Sequence, residues 1–175
     1  MSATLSSPTR RKNPLREAYD LFGVPFQPTH LATLTYGLVI PEMNVIRSNP
    51  MSQVHRDLHQ LREDVDLAVL GSNFNEPNMR VWRTSFIAFL EPTASSIRVQ
   101  ALYRVPLRCG LEFNEFELHL PRRWSVLVRA PASAEVREIY DLEEVAQYAL
   151  RHKDKTDDHL IRDDLVVFSR DLDGG

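Results

Sequence analysis

His55 and His59, with Glu63 one helical turn further on, are the residues of this chain whose spacing comes closest to a metal site. On a helix, imidazoles at i and i+4 can share one ion, and a carboxylate can complete the centre or act as its base. A catalytic zinc also needs a third ligand, and the same three residues read as polar positions beside an apolar stripe. His119 and Cys109 flank one predicted strand and have the types of a base and a nucleophile. No family signature surrounds the cysteine, and a lone Cys most often behaves as a small buried apolar group. Glu135, Glu138, Asp141, Glu143 and Glu144 read as a solvated helix face, and Asp154, Asp157 and Asp158 lack the glycine and ligand spacing of a calcium loop. The chain has no GxSxG, P-loop, GxGxxG, HExxH or CxxC motif, and its six glycines give phosphate-cradling loops little to work with. The expectation is a non-enzymatic protein with no cofactor and no metal.

The basic residues are more suggestive. Net charge is −3, but residues 1–60 carry six Lys+Arg against four Asp+Glu, whereas residues 131–175 carry six against twelve. Arg10, Arg11, Lys12 and Arg16 form a cationic arm with no acid before Glu17, suited to phosphate groups of RNA or anionic lipid. Arg98, Arg104, Arg122, Arg123 and Arg129 are expected to add a patch on an open sheet face. A pI of about 6.1 is far below that of a dedicated nucleic-acid binder, so electrostatic contact without base readout is the better fit. A basic head and an acidic tail also suit contacts between copies of the chain.

These groups must be positioned by elements that hydrophobic spacing makes legible. Residues 1–17 read as a flexible arm. Residues 18–30 hold Tyr19, Leu21, Phe22, Val24 and Phe26, but Pro25 and Pro28 forbid a regular helix, so the segment is expected to dock in extended form on its own domain or a neighbour. Leu31–Ile40 reads as a strand, with Val45–Ile46 continuing the pairing after an interruption. Asn49 and Pro50 look like the cap and first residue of a helix over Ser52–Val69, whose Val54, Leu58, Leu61, Val65 and Ala68 fall on one stripe and which Gly71 ends. Ser72–Asn78 is a polar loop in which Phe74 stands out as a contact point.

A run of strands is then expected: Val81–Leu90, buried on both faces; Ile97–Val105, alternating, with Arg98, Gln100 and Arg104 on its wet side; Leu111–Leu120; and Trp124–Arg129. The second helix is expected from Ala134 to His152 with Ser133 as its cap, and Leu165–Phe168 as a last short strand. With 175 residues, 43% hydrophobic and 26% charged, the chain fits one α+β domain: an antiparallel sheet packed against two main helices over residues 31–175. A single cysteine points to a reducing compartment, and no stretch approaches the ~18 apolar residues of a membrane span, so any membrane contact is expected to be peripheral.

Three segments resemble the matrix proteins of rhabdoviruses, of the vesicular stomatitis type: Tyr19 with Phe22–Gly23–Val24; Val45–Ile46–Arg47–Ser48–Asn49–Pro50 before a helix; and Phe86–Ile87–Ala88–Phe89–Leu90 in the strand after it. The resemblance covers roughly residues 19–90, in order and approximate spacing. The basic arm is sparser than in many members of that family and no Pro-Pro-x-Tyr segment is present. The resemblance implies a protein that self-associates, condenses the viral nucleocapsid or its RNA, and links it to an anionic membrane at the envelope during assembly and budding. It places the protein in the virion, at the inner membrane face and in the host cytoplasm, with host nuclear proteins as further partners. By position, Arg10, Arg11, Lys12 and Arg16 would be the membrane or nucleocapsid arm, and Tyr19, Leu21, Phe22, Val24 and Phe26 the docking segment for a neighbouring copy. The alternative is an RNA-binding or host-regulatory viral protein without a structural role.

Overall fold

The structure, a computed structural model, describes residues 26–40, 45–106, 112–129, 132–141, 143 and 166–169. In chain order the elements are β1 (His30–Gly37), β2 (Val39–Ile40), β3 (Val45–Ile46), α1 (Pro50–Leu70), a 3-10 turn (Pro77–Trp82), β4 (Ser85–Pro92), β5 (Ser96–Arg104), α2 (Glu112–Val128), β6 (Ala132–Glu138) and β7 (Val166–Phe168). The five long-range strands form one antiparallel sheet in the order β6-β1-β5-β4-β7, and β2 and β3 pair separately as a short ribbon. The α+β class is as expected.

Period-two alternation explains the inner strands. Ala32, Leu34 and Tyr36 of β1, Phe86, Ala88 and Leu90 of β4, and Ile97, Val99, Ala101 and Tyr103 of β5 point to one face. Both helices cover that face: α1 through Val54, Leu58, Leu61 and Val65, α2 through Phe116, Leu120, Trp124 and Val128. On the opposite face, Leu31, Ile87, Phe89 and Leu102 form a second, smaller cluster with Phe26, packed against Ile139, Val166 and Phe168. Further along that face the side chains are polar; Gln100 is buried there and accepts a hydrogen bond from the Thr33 hydroxyl at 3.1 Å.

Helix α1 follows its predicted stripe and stops at Gly71, whose φ of 83° suits glycine and whose N–H donates to the Leu67 carbonyl. Its start differs from expectation. Asn49 makes no side-chain cap bond; it adopts the left-handed conformation (φ 46°, ψ 57°) and turns the chain from β3 into the helix, while its carbonyl accepts from the Gln53 N–H. A capping side chain needs extended backbone, whereas Asn tolerates the left-handed region better than most residues.

Strand β4 begins at Ser85, not Val81; Val81 lies in the 3-10 turn and is 73% exposed. A buried clamp sets this boundary. Arg62 Nε donates to the Thr84 carbonyl (2.6 Å), and the Thr84 N–H and hydroxyl both donate to one Asp66 oxygen (2.9 and 2.8 Å). Arg62 and Arg83 lie 3.6 and 3.5 Å from the other Asp66 oxygen. Phe74, the apolar residue of the preceding loop, is buried, with the Arg83 guanidinium 5.4 Å above its ring.

The largest correction concerns the second half. The strands expected over Leu111–Leu120 and Trp124–Arg129 are one helix, α2, and the start of the helix expected from Ala134 is strand β6, so Ser133 is no cap. Phe116, Leu120, Trp124 and Val128 recur every four residues, and their burial outweighs the proline inside the helix. Pro121 has no N–H for the Glu117 carbonyl, a loss that with ring crowding costs about 3 kcal/mol. In β6, Ala132, Ala134 and Val136 face the helices, and the next odd-numbered apolar residue, Ile139, reaches the opposite cluster. Of the rest of the predicted helix, Ile139, Tyr140, Asp141 and Glu143 are described, and residues 142 and 144–152 lie outside the described residues. Strand β7 forms where expected, and Ser169 after it bonds Phe86 through both its N–H (2.9 Å) and its hydroxyl (3.2 Å).

Candidate interaction site at the β2–β3 ribbon

After Gly37 the chain leaves the sheet, pairs Val39 with Ile46 and Ile40 with Val45, and returns to start α1. Two paired residues per strand cannot hold a ribbon in place alone. Arg47, at its base, supplies the attachment. Its N–H donates to the Leu38 carbonyl (2.8 Å), its Nε to the Gly37 carbonyl (2.9 Å), and its two terminal nitrogens to the Tyr36 hydroxyl (3.1 Å) and the Val128 carbonyl. The guanidinium also lies 4.6 Å from the Tyr36 ring centroid. Val128 ends α2, where unpaired carbonyls carry the negative end of the helix dipole, so a cation is favoured there. The Tyr36 hydroxyl in turn bonds Asp57, which accepts a second hydrogen bond from Gln53 at 2.8 Å. Burial raises the pKa of both Tyr36 and Asp57.

A rigid stem thus carries apolar side chains into solvent: Ile46 is 75% exposed and Val39 40%. Among the described residues, the ionisable groups at the base of the ribbon, Arg47, Tyr36 and Asp57, are engaged in holding the stem.

The residues singled out from sequence are placed as follows. Arg10, Arg11, Lys12, Arg16, Tyr19, Leu21, Phe22 and Val24 lie outside the described residues. Phe26 is buried on its own sheet in the smaller cluster, with the Arg104 guanidinium 5.2 Å above its ring. The five arginines expected on one open face are divided. Arg98 and Arg104 belong to β5, but Arg122 and Arg123 ride on α2 and Arg129 follows it, because that segment is helix and not sheet. Among the described residues no group of three His, Cys, Asp or Glu side chains could hold a metal ion, so His55, His59 and Glu63 do not converge. The His59 ring sits 5.5 Å from Phe86, and His119 pairs with Glu115 at 3.1 Å on α2; Cys109 is outside the described residues. Glu135 and Glu138 lie in strand β6, and the carboxylate of Asp141 accepts the Glu143 N–H at 2.8 Å, while Glu144, Asp154, Asp157 and Asp158 are outside the described residues.

One unusual group escaped the sequence reading. His30 is fully buried between β1 and α2, its ring 4.6 Å from Phe113 and 5.0 Å from Phe116. Nδ1 lies 2.9 Å from the Thr29 hydroxyl, whereas Nε2 makes no hydrogen bond and faces Glu117 at 3.7 Å. Burial lowers its pKa from 6.5 to about 4, against the attraction of Glu138. Alternation around position 30 marks a buried strand residue but cannot reveal which ring nitrogen lacks a partner.

Among the described residues no helix is long and apolar enough to cross a membrane. No protein-family model, no curated protein and no solved structure matches the chain.

Proposed function

We propose that this chain is a non-enzymatic viral matrix protein of the rhabdovirus type, which self-associates, condenses the ribonucleoprotein and links it to the envelope. The observation that carries the reading is the β2–β3 ribbon. It holds Ile46 and Val39 in solvent on a stem fastened by Arg47, as a surface for association requires. The segment Val45–Pro50 that resembles the family builds this feature, and Phe86–Leu90 lies in β4, inside the sheet. An antiparallel sheet packed on helices is also the fold that the resemblance implies.

Light scattering across salt concentrations, with co-sedimentation on anionic liposomes, tests the proposal. Concentration-dependent self-association at low salt and liposome binding are expected. Ile46→Asp should weaken self-association severalfold and leave thermal stability nearly unchanged, because an exposed side chain contributes little to folding. A chain that stays monomeric at high concentration and ignores both liposomes and nucleocapsid would defeat the reading.

A further inference from the structure

Helix α2 lies over the sheet with Phe116, Leu120, Trp124 and Val128 fully buried beneath it. Two residues further along a helix is a rotation of about 200°, so positions 118, 122 and 126 point away from the sheet. The stripe they form is unlike an ordinary solvated face. Val126 is 71% exposed and Leu118 44%, and Arg122 between them is exposed as well. Arg123 and Arg129 flank the stripe and are also exposed. From Leu118 to Ala134 the chain carries these three arginines and no Asp or Glu.

The arginines are uncommitted. Among the described residues, none of the three guanidiniums meets a carboxylate or lies over a ring. Glu115, the acid on the N-terminal part of the same face, is paired with His119 at 3.1 Å. The negative end of the α2 dipole, which would repel an anion, is covered by the Arg47 guanidinium on the Val128 carbonyl. The C-terminal half of the face thus presents positive charge with an apolar side chain at its centre. That combination fits an acidic phospholipid surface, where guanidiniums meet the headgroups while Val126 and Leu118 enter the boundary with the acyl chains. A nucleic acid would use the charge and leave Val126 and Leu118 in water. Trp124, whose ring could stack on a base, is buried, with its indole N–H donating to the Thr35 carbonyl at 3.1 Å.

We propose that the outward face of α2, from Leu118 to Arg129, is a peripheral contact surface for membranes rich in acidic phospholipids. The inference deepens the matrix reading and rests on it for the membrane being the envelope. It assigns the contact to the folded domain, in addition to the arm that holds Arg10 and Arg16. The helix lies along the bilayer surface, and the opposite sheet face, which carries Arg98, is turned away from the membrane.

Co-sedimentation of the full chain with vesicles of phosphatidylcholine and about 30% phosphatidylserine tests it, with a single-stranded RNA homopolymer as a second ligand. Each arginine near such a surface is worth about fivefold in affinity, so the double variant R122Q/R129Q should bind the vesicles about twentyfold more weakly. R98Q/R104Q removes the same charge from the opposite face and should bind them as the unaltered chain does. Val126→Ser should bind the vesicles about fivefold more weakly and leave any RNA affinity unchanged. Far-UV circular dichroism and thermal unfolding check that α2 is intact in each variant. Vesicle binding that is normal in R122Q/R129Q, or weakened equally in R98Q/R104Q, would overturn the α2 surface. So would a Val126→Ser variant with normal vesicle binding beside an R122Q/R129Q variant that loses RNA, which is the behaviour of a nucleic-acid face. In each of these cases vesicle binding by the unaltered chain leaves the matrix reading standing. That reading fails separately if the unaltered chain is monomeric and inert toward liposomes and nucleocapsid.

Discussion

Acidification should destabilise this fold through His30, and the effect can be worked from the structure. The imidazole is enclosed by Phe113, Phe116 and the sheet, with Nε2 lacking a hydrogen bond. Among the described residues, Glu117 at 3.7 Å and Glu138 across the β1–β6 pair favour a charged ring. Desolvation outweighs them and holds the pKa near 4, against 6.5 in the unfolded chain. A folded-state pKa below the unfolded value means that the unfolded chain binds the proton first. The stability is therefore complete above pH ~6.5 and is lost progressively as pH falls toward 4. The full difference is about 3 kcal/mol, of which about 2 kcal/mol is lost between pH 7 and pH 5.

Urea unfolding of the natural chain and of His30→Phe at both pH values isolates this contribution, because every other titrating group is common to the two proteins. The natural chain should lose about 2 kcal/mol more than the variant over that interval. Parallel pH dependence in the two proteins would refute the reasoning, and so would an imidazole shown by NMR titration to keep an ordinary pKa.

Asp66→Asn should destabilise the fold by about 3 kcal/mol or more in chemical denaturation, because the buried carboxylate that faces Arg62 and Arg83 and accepts twice from Thr84 is lost. Arg47→Lys should cost about 1–3 kcal/mol, since an ammonium cannot reach the Gly37 and Val128 carbonyls and the Tyr36 hydroxyl together. Hydrogen exchange of this variant should then show faster exchange at the backbone N–H of position 47, which bonds the Leu38 carbonyl, while the α1 core stays protected.

Much of the candidate site was visible only in part beforehand. Val45–Ile46 as a strand, and Pro50 opening a helix, follow from residue type and neighbours. That Arg47 fastens the ribbon does not, because two of its acceptors, Tyr36 and Val128, come from strands and helices eleven and eighty-one residues away. The arginine patch failed for a related reason. Arg122, Arg123 and Arg129 could join Arg98 and Arg104 only if residues 111–129 were strand, and the mixed apolar and aromatic residues there satisfy a period of two or four. Packing of Phe116, Leu120, Trp124 and Val128 under the sheet decides for the helix.

Sequence alone determined the local features: the α1 stripe and its stop at Gly71, the strand character of β1, the alternation of β5, the short β7, and the α+β class. Each depends on residues within a few turns of one another, whose spacing states the periodicity of the element. Tertiary structure decided where an element's period was ambiguous or its partner distant. Strand β6 exists because β1, a hundred residues earlier, offers an unpaired edge; β4 starts where Arg62 and Asp66 grip Thr84; His30 is perturbed because α2 closes over it. Non-local pairing satisfies backbone groups and buries area that no local window of sequence contains.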